Sequence, residues 1–385
     1  MRVAVVGFGQ TPFKTKRRDK THPEIVFEAI NSALEHAGLE LKDIEAVVYG
    51  CMDPFDGIYC PERWDSTACG LEKPIMKIST GGTTGMTTAL AAHEHVASGL
   101  FDLVMAVCVQ RVGECVDAQP VLNTAVDPIY ERHSGLGAIH IAAFQATAYM
   151  AKYGATEEDL AWVSVKDHKN ALKNPYAHIK MDVGVDDVLN SKVVCSPLKL
   201  LECCPRSDGA AAVIFASEDL AKKIRDNPAW VVAETTISDS YYLGDRLSFA
   251  EWDSLAIAGR RLFRDAGIEN PAKDIDVAEL YSAFTIQEIL ELEALGFAEK
   301  GRGKDFAREG VTFIDGDMPT NPSGGVLCTN PIGATGLVRF GEAALQVMGE
   351  ASNQVDGAEV ALSHAWGGTL QFHTLAVLSS NKKLG

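Results

Sequence analysis

The sequence contains no apolar stretch approaching the roughly eighteen residues that a membrane-crossing helix needs. Met1-Arg2 runs directly into the strand-like Val3-Ala4-Val5-Val6-Gly7, so no secretory leader is expected. Together these features predict a soluble, cytoplasmic protein with no membrane partner. Cysteine pairs at C-x-x-C spacing are also missing, and nine cysteines, an odd number, are scattered over 385 residues. That pattern argues against a disulfide framework or a structural metal site, so reduced thiols and no bound metal are expected. Positive charge is scarce: 35 Lys and Arg against 52 Asp and Glu give a formal charge of -17, which repels polyanions and argues against a nucleic-acid partner. Gly7-Phe8-Gly9 lacks the third glycine and the downstream acid of a dinucleotide loop, so a tight strand-to-loop turn is expected there.

What remains is an ordinary globular composition, 46% hydrophobic and 23% charged, long enough for two or three compact units. β-Branched runs alternate with Ala-rich helical segments, the pattern of an α/β protein with buried sheets. The chain also repeats itself. A helix through Ala29-Ile30 ends at Ala37-Gly38-Leu39 and leads through Asp43-Ile44 into Ala46-Val47-Val48-Tyr49-Gly50. Roughly 230 residues later, a helix through Ala258-Gly259 ends at Ala266-Gly267-Ile268 and leads through Asp274-Ile275 into Val277-Ala278-Glu279-Leu280-Tyr281. Each copy continues with a glycine-rich loop, a long helix and an apolar strand. Residues 1–115 with 200–225 are therefore expected to form one half and 226–385 the other. Residues 116–199 read as an excursion that covers a substrate or packs on a second subunit.

Three segments stand out chemically. The basic run Lys14 to Lys20 is either a phosphate contact or a solvated loop. Lys77-Ile78-Ser79-Thr80-Gly81-Gly82-Thr83-Thr84-Gly85-Met86 reads as strand, small-residue turn and helix start, which lets backbone N–H groups approach a ligand oxygen. Met318 to Gly325, followed by Cys328-Thr329-Asn330-Pro331-Ile332-Gly333-Ala334-Thr335-Gly336, places unusually irregular backbone immediately before a helix.

With Thr11-Pro12-Phe13, Cys204-Pro205-Arg206-Ser207-Asp208-Gly209 and Ser363-His364-Ala365-Trp366-Gly367-Gly368, these segments make the chain resemble the thiolase superfamily over essentially its whole length. The likeness is strongest to the sterol-carrier-protein-linked and archaeal-type branch. The resemblance implies a five-layered αβαβα fold built from two βαβαβαββ halves, a homodimeric core, and a coenzyme A thioester as substrate, with coenzyme A itself as substrate or product. The Thr80-Gly81-Gly82 loop and the Asn330-Pro331 turn are similar to thiolase-like subunits that work with a small zinc-ribbon and OB-fold partner, benzoylsuccinyl-coenzyme A thiolase among them.

The resemblance also exposes departures. The family's nucleophilic cysteine matches Gly82, its acid-base histidine matches Asn330, its second cysteine matches Ala365, and its thioester-binding asparagine or histidine matches Tyr281. Backbone N–H groups at Gly82 and Gly367 remain available for an oxyanion hole, and Tyr281 and Asn330 remain able to donate hydrogen bonds. Gly81, Gly324, Gly325 and Gly368 are the expected substrate-binding loop positions. Cys328, two residues before Asn330, is the candidate relocated nucleophile, and His364, beside the oxyanion loop, the candidate base. Cys203-Cys204 is expected to pack beside the Asp208-Gly209 turn. The first expectation is thus a thiolase-type enzyme that cleaves or forms the C–C bond of a branched or bulky 3-oxoacyl-coenzyme A. A retro-aldolase acting on a 3-hydroxyacyl-coenzyme A and a non-catalytic thioester-binding subunit are the alternatives.

Overall fold

The computed structural model describes residues 1–115 and 117–380. The first half runs β1 (Val3–Gln10), α1 (His22–Ala37), β2 (Ala46–Gly50), β3 (Ile75–Ile78), α2 (Thr84–Ala97) and β4 (Leu103–Arg111). An excursion follows, carrying α3 (Ala138–Tyr153), α4 (Glu157–Ala171) and the hairpin β5 (Val193–Cys195) and β6 (Leu198–Lys199), and the chain returns as β7 (Asp208–Ser217). The second half comprises β8 (Ala229–Ser238), α5 (Asp253–Ala266), β9 (Val277–Glu279), α6 (Thr285–Ala294), α7 (Thr335–Met348), β10 (Val360–Gly367) and β11 (Phe372–Ser379). Among the described residues no helix is long and apolar enough to cross a membrane.

The expected duplication is explicit in the strand order β3-β2-β4-β7-β1-β8-β11-β10-β9. From the β1/β8 seam outward, the first half reads β1, β7, β4, β2, β3, with two antiparallel pairings followed by two parallel ones. The second half reads β8, β11, β10, β9 and then a parallel bridge from Ala278 to Thr320, in the same sequence of senses. The seam itself is short, joining Ala4 to Trp230 and Val5 to Ala229.

Between the two half-sheets lie α2 and α7, which touch each other and strands of both halves. A helix sandwiched this way must be apolar on most of its circumference, and α7 buries Leu337, Val338, Phe340, Ala343, Ala344 and Val347. Helix α1 covers the outer face of the first half-sheet and α5 that of the second, which completes five layers. Thr21 and Glu24 cap α1, with both the Thr21 N–H and its hydroxyl donating to the Glu24 carboxylate, and Gly38 closes the helix at φ 67°.

Gly7 and Gly9 lie within β1 rather than in a turn after it. A Cβ on Gly7 would sit 2.6 Å from the Ala33 carbonyl oxygen, and one on Gly9 2.3 Å from the Ala33 nitrogen. The Gly-x-Gly pattern therefore serves close docking of α1 on the strand.

The excursion is anchored in the core. Lys166 of α4 is fully buried, with Nζ 2.6 Å from Glu288 Oε1 on α6 and 2.9 Å from Asp167, and it donates to the Thr320 carbonyl at 2.9 Å. Burial pushes its ammonium pKa down, but the two carboxylates more than offset this and hold it charged.

Candidate active site

A cavity of about 480 Å³ opens where the two halves meet the excursion. One wall is apolar and comes largely from the excursion, including Ala118, Val121, Leu122, Val126, Ile139 and Ile141. The opposite wall carries Gly81 and Gly82 from the β3-to-α2 turn, and Gly367 and Gly368 from the end of β10. Thr83 Oγ1 donates to the Thr80 carbonyl and Thr84 Oγ1 to the Gly81 carbonyl, both at 2.6 Å, so the turn is fixed by its own hydroxyls. Helices α2 and α7 both begin beside this wall, and the positive ends of their backbone dipoles favour negative charge developing there.

Gly82 has no room for a side chain. A Cβ would lie 2.4 Å from the Trp366 carbonyl oxygen, and one on Gly367 would lie 2.7 Å from the Gly82 nitrogen. Two backbones are thus pressed together at the position where the resemblance places a cysteine. Gly82→Cys is expected to cost about 1–3 kcal/mol through overpacking and to restore no activity. Denaturant midpoints together with turnover would check this, and a stable, more active variant would contradict it.

The polar end of the cavity is a hydrogen-bonded cluster. Tyr281 follows β9, and its hydroxyl donates to Asn330 Oδ1 at 3.3 Å. Thr335 Oγ1 donates to the same oxygen at 2.8 Å, while Asn330 Nδ2 donates to Cys204 Sγ at 3.1 Å. The Asn330 backbone is held by Ser207, whose Oγ accepts from the Asn330 N–H at 3.0 Å and whose N–H donates to the Asn330 carbonyl at 3.1 Å. Trp366 Nε1 donates to the Tyr281 carbonyl at 2.7 Å, and the two rings meet edge-on at a centroid distance of 5.7 Å. Burial pushes the Tyr281 hydroxyl well above its ordinary pKa, and pushes the Cys204 thiol up to about 11 against the opposing Asn330 hydrogen bond. Both groups are therefore protonated donors at neutral pH.

The structure brings Gly81, Gly82, Tyr281, Asn330, Gly367 and Gly368 to one cavity and leaves the other expected residues elsewhere. Cys328 ends a single helical turn, is fully buried, and packs against Ala171, Ala177 and Ile179. Gly324 and Gly325 shape that same turn at φ 92° and 61°, and a Cβ on Gly324 would lie 2.5 Å from the Ala171 Cβ. His364 lies deep in β10, with Nε2 3.3 Å from His373 Nδ1 and Nδ1 3.4 Å from Glu291. Its burial lowers the pKa to about 3, which leaves a neutral ring away from the cavity. The vicinal thiols also differ from expectation, because Cys203 and Cys204 both line the cavity. The Cys204 N–H donates to the Ala283 carbonyl at 2.9 Å, and this pairing sets it beside the Tyr281 segment. The only sequence signal for it was the Cys204-Pro205-Arg206 motif itself.

Arg17, from the basic run, is buried against Asp19, Glu28 and the Pro12 carbonyl, so that part of the run is structural. Among the described residues, His22, Cys51 and Asp56 gather three potential metal-ligating atoms. The His22 ring lies between Asp65 at 3.0 Å and Asp56 at 3.4 Å, and despite burial these carboxylates raise its pKa to about 9. Both ring nitrogens are thus engaged by carboxylate partners.

Residues 3–219 match the family described as thiolase, N-terminal domain, and residues 236–380 match thiolase C-terminal domain-like. The chain is 38% identical over 374 residues to acetyl-CoA acetyltransferase of Methanothermobacter thermautotrophicus, spanning 95% of this chain and 96% of that protein. It is 32% identical over 309 residues to benzoylsuccinyl-CoA thiolase subunit BbsB of Thauera aromatica, spanning 79% of each. Among solved structures, Ltp2-ChsH2(DUF35) aldolase superposes with a TM-score of 0.85 at 26% identity, over 99% of this chain and 98% of that one. Since these matches run through both halves and across the seam between them, the chain belongs to the thiolase family of acyltransferase enzymes.

Proposed function

We propose that this chain cleaves or forms the carbon–carbon bond beside the thioester of a bulky or branched 3-oxoacyl-coenzyme A, with coenzyme A as the second reactant. The observation that carries this reading is the cavity of about 480 Å³, in which an apolar wall faces paired glycine turns and the Tyr281–Asn330 donors. The Gly82 and Gly367 N–H groups would hold the thioester oxygen as the enolate forms, while Tyr281 and Asn330 would polarise the ketone. In this reading residues 116–199 roof the substrate, with 1–115 and 200–225 on one side and 226–385 on the other.

A partner subunit is part of the proposal. BbsB is named as a subunit, and the aldolase structure is named with a DUF35 component. Thr369, in the cavity, donates to the Tyr241 carbonyl at 2.7 Å, and Tyr241, Tyr130, Ile129 and Leu247 form exposed apolar surface on the connected loops. We assign this surface to a small zinc-ribbon and OB-fold subunit, and the half-buried edge strand β3, with Met76 exposed, to a second copy of the chain.

Retro-aldol cleavage of a 3-hydroxyacyl-coenzyme A is the second reading, favoured by the blocked position at Gly82. Thiolysis of 3-oxo-3-phenylpropionyl-coenzyme A should exceed that of acetoacetyl-coenzyme A by at least about tenfold in kcat/KM, since a phenyl ring buries far more apolar surface than a methyl group, at about 25 cal/mol per Å². Aldehyde or ketone release from 3-hydroxyacyl esters, without thiolysis, would replace the first reading by the second.

A further inference from the structure

We propose that Cys204 is the acyl-accepting nucleophile of this enzyme. The inference rests on the acyl-transfer reading and deepens it. Cys204 is a cysteine of the cavity wall whose sulfur is joined to the polar cluster, through the Asn330 amide at 3.1 Å. An N–H donor directed at sulfur favours its anionic form, and Asn330 is in turn fixed by Thr335, by Tyr281 and by two backbone hydrogen bonds to Ser207. Its neighbour in sequence is arranged differently: Cys203 Sγ is directed to the Lys199 carbonyl at 3.1 Å. Cys328 and Cys108 are buried away from the cavity, and Cys115 Sγ is directed to the Asp117 carbonyl at 3.0 Å.

The step balances without an oxidant or a metal. Cys204 Sγ adds to the C3 ketone carbon of the substrate. The C2–C3 bond then breaks, its electron pair moves onto the departing thioester enolate, and the proton given up by the sulfur ends on C2. The products are an acyl-Cys204 thioester and a shortened acyl-coenzyme A. In the second half, the coenzyme A sulfur attacks the acyl carbon, the bond to Cys204 breaks, and the coenzyme A proton returns to the cysteine.

Burial disfavours the free thiolate, so the reactivity of this cysteine has a recognisable pH signature. With the thiol raised to about 11, its alkylation by iodoacetamide should quicken about tenfold per pH unit between roughly pH 7 and 10. An exposed, ordinary thiol would level off near pH 8.5.

The test uses the full chain, with any co-purifying subunit retained, and 3-oxo-3-phenylpropionyl-coenzyme A as the probe. Intact mass after incubation without free thiol should show one benzoyl group, mapped by fragmentation to Cys204, and absent in Cys204→Ala and Cys204→Ser. Both variants should keep the wild-type thermal midpoint within a few degrees and lose at least about a hundredfold in thiolysis. The serine variant guards against a packing defect. An adduct on another residue, or an alanine variant retaining thiolysis within about threefold, would overturn the assignment to Cys204 and leave acyl transfer standing. Wild-type enzyme that performs no thiolysis and only releases carbonyl product from 3-hydroxyacyl esters would overturn both.

Discussion

Tyr281→Phe is expected to lower kcat about 10²- to 10³-fold, the cost of removing one preorganised donor from a developing oxyanion, about 2.7–4 kcal/mol. The substitution is clean because the ring is held independently of its hydroxyl. Trp366 bonds the Tyr281 carbonyl and packs edge-on against the ring, contacts that phenylalanine retains. KM and the unfolding midpoint should therefore change little, which separates loss of transition-state binding from loss of structure. Unchanged kcat in the assembled enzyme would reduce Tyr281 to a piece of cavity wall and would favour a thioester-binding role for this chain.

The largest stability effect is expected at Lys166→Met, about 3–5 kcal/mol, because the substitution strands the Glu288 carboxylate in a fully buried site, whereas burial already pushes the neighbouring Asp167 carboxyl up toward its neutral form. Denaturant midpoints at constant m-value would measure it. Adding Glu288→Leu should return a substantial part of the loss, since it removes one stranded charge. A double variant no more stable than the single one would mean that the penalty lies in packing. The same lysine anchors α4 beneath Thr320, so its loss should also loosen the excursion whose earlier residues wall the cavity.

Much of the fold was legible in the sequence because the duplication repeats local signals: a helix closed by Gly38 or Gly267, an apolar strand, a glycine turn, a second helix. The correspondence in strand order rests on those repeats. Gly82, Gly367, Tyr281 and Asn330 were legible through the resemblance, because each occupies a position that the family's motifs mark out, and all four line the one cavity. Proximity in sequence misled at Cys328, because the helical turn between Gly325 and Cys328 carries that side chain to the Ala171 face. His364 shares a strand face with Trp366 by the period of two, yet stands two residues deeper, beyond the cavity. Cys204 was hidden for the converse reason, since its partner Asn330 is 126 residues away and is brought close only by the pairing around Ser207.

The short seam between β1 and β8 implies a division of labour. On the proposed reading the first half contributes Gly82 and Cys204 to the cavity and the second Tyr281, Asn330 and Gly367, so neither repeat alone would hold the whole site. Each repeat produced alone would also present the apolar flank of its central helix to water, where it would seek any copy of the other. Two fragments cut between Ser217 and Ala229 should therefore be insoluble or inactive apart, and should recover turnover when refolded together.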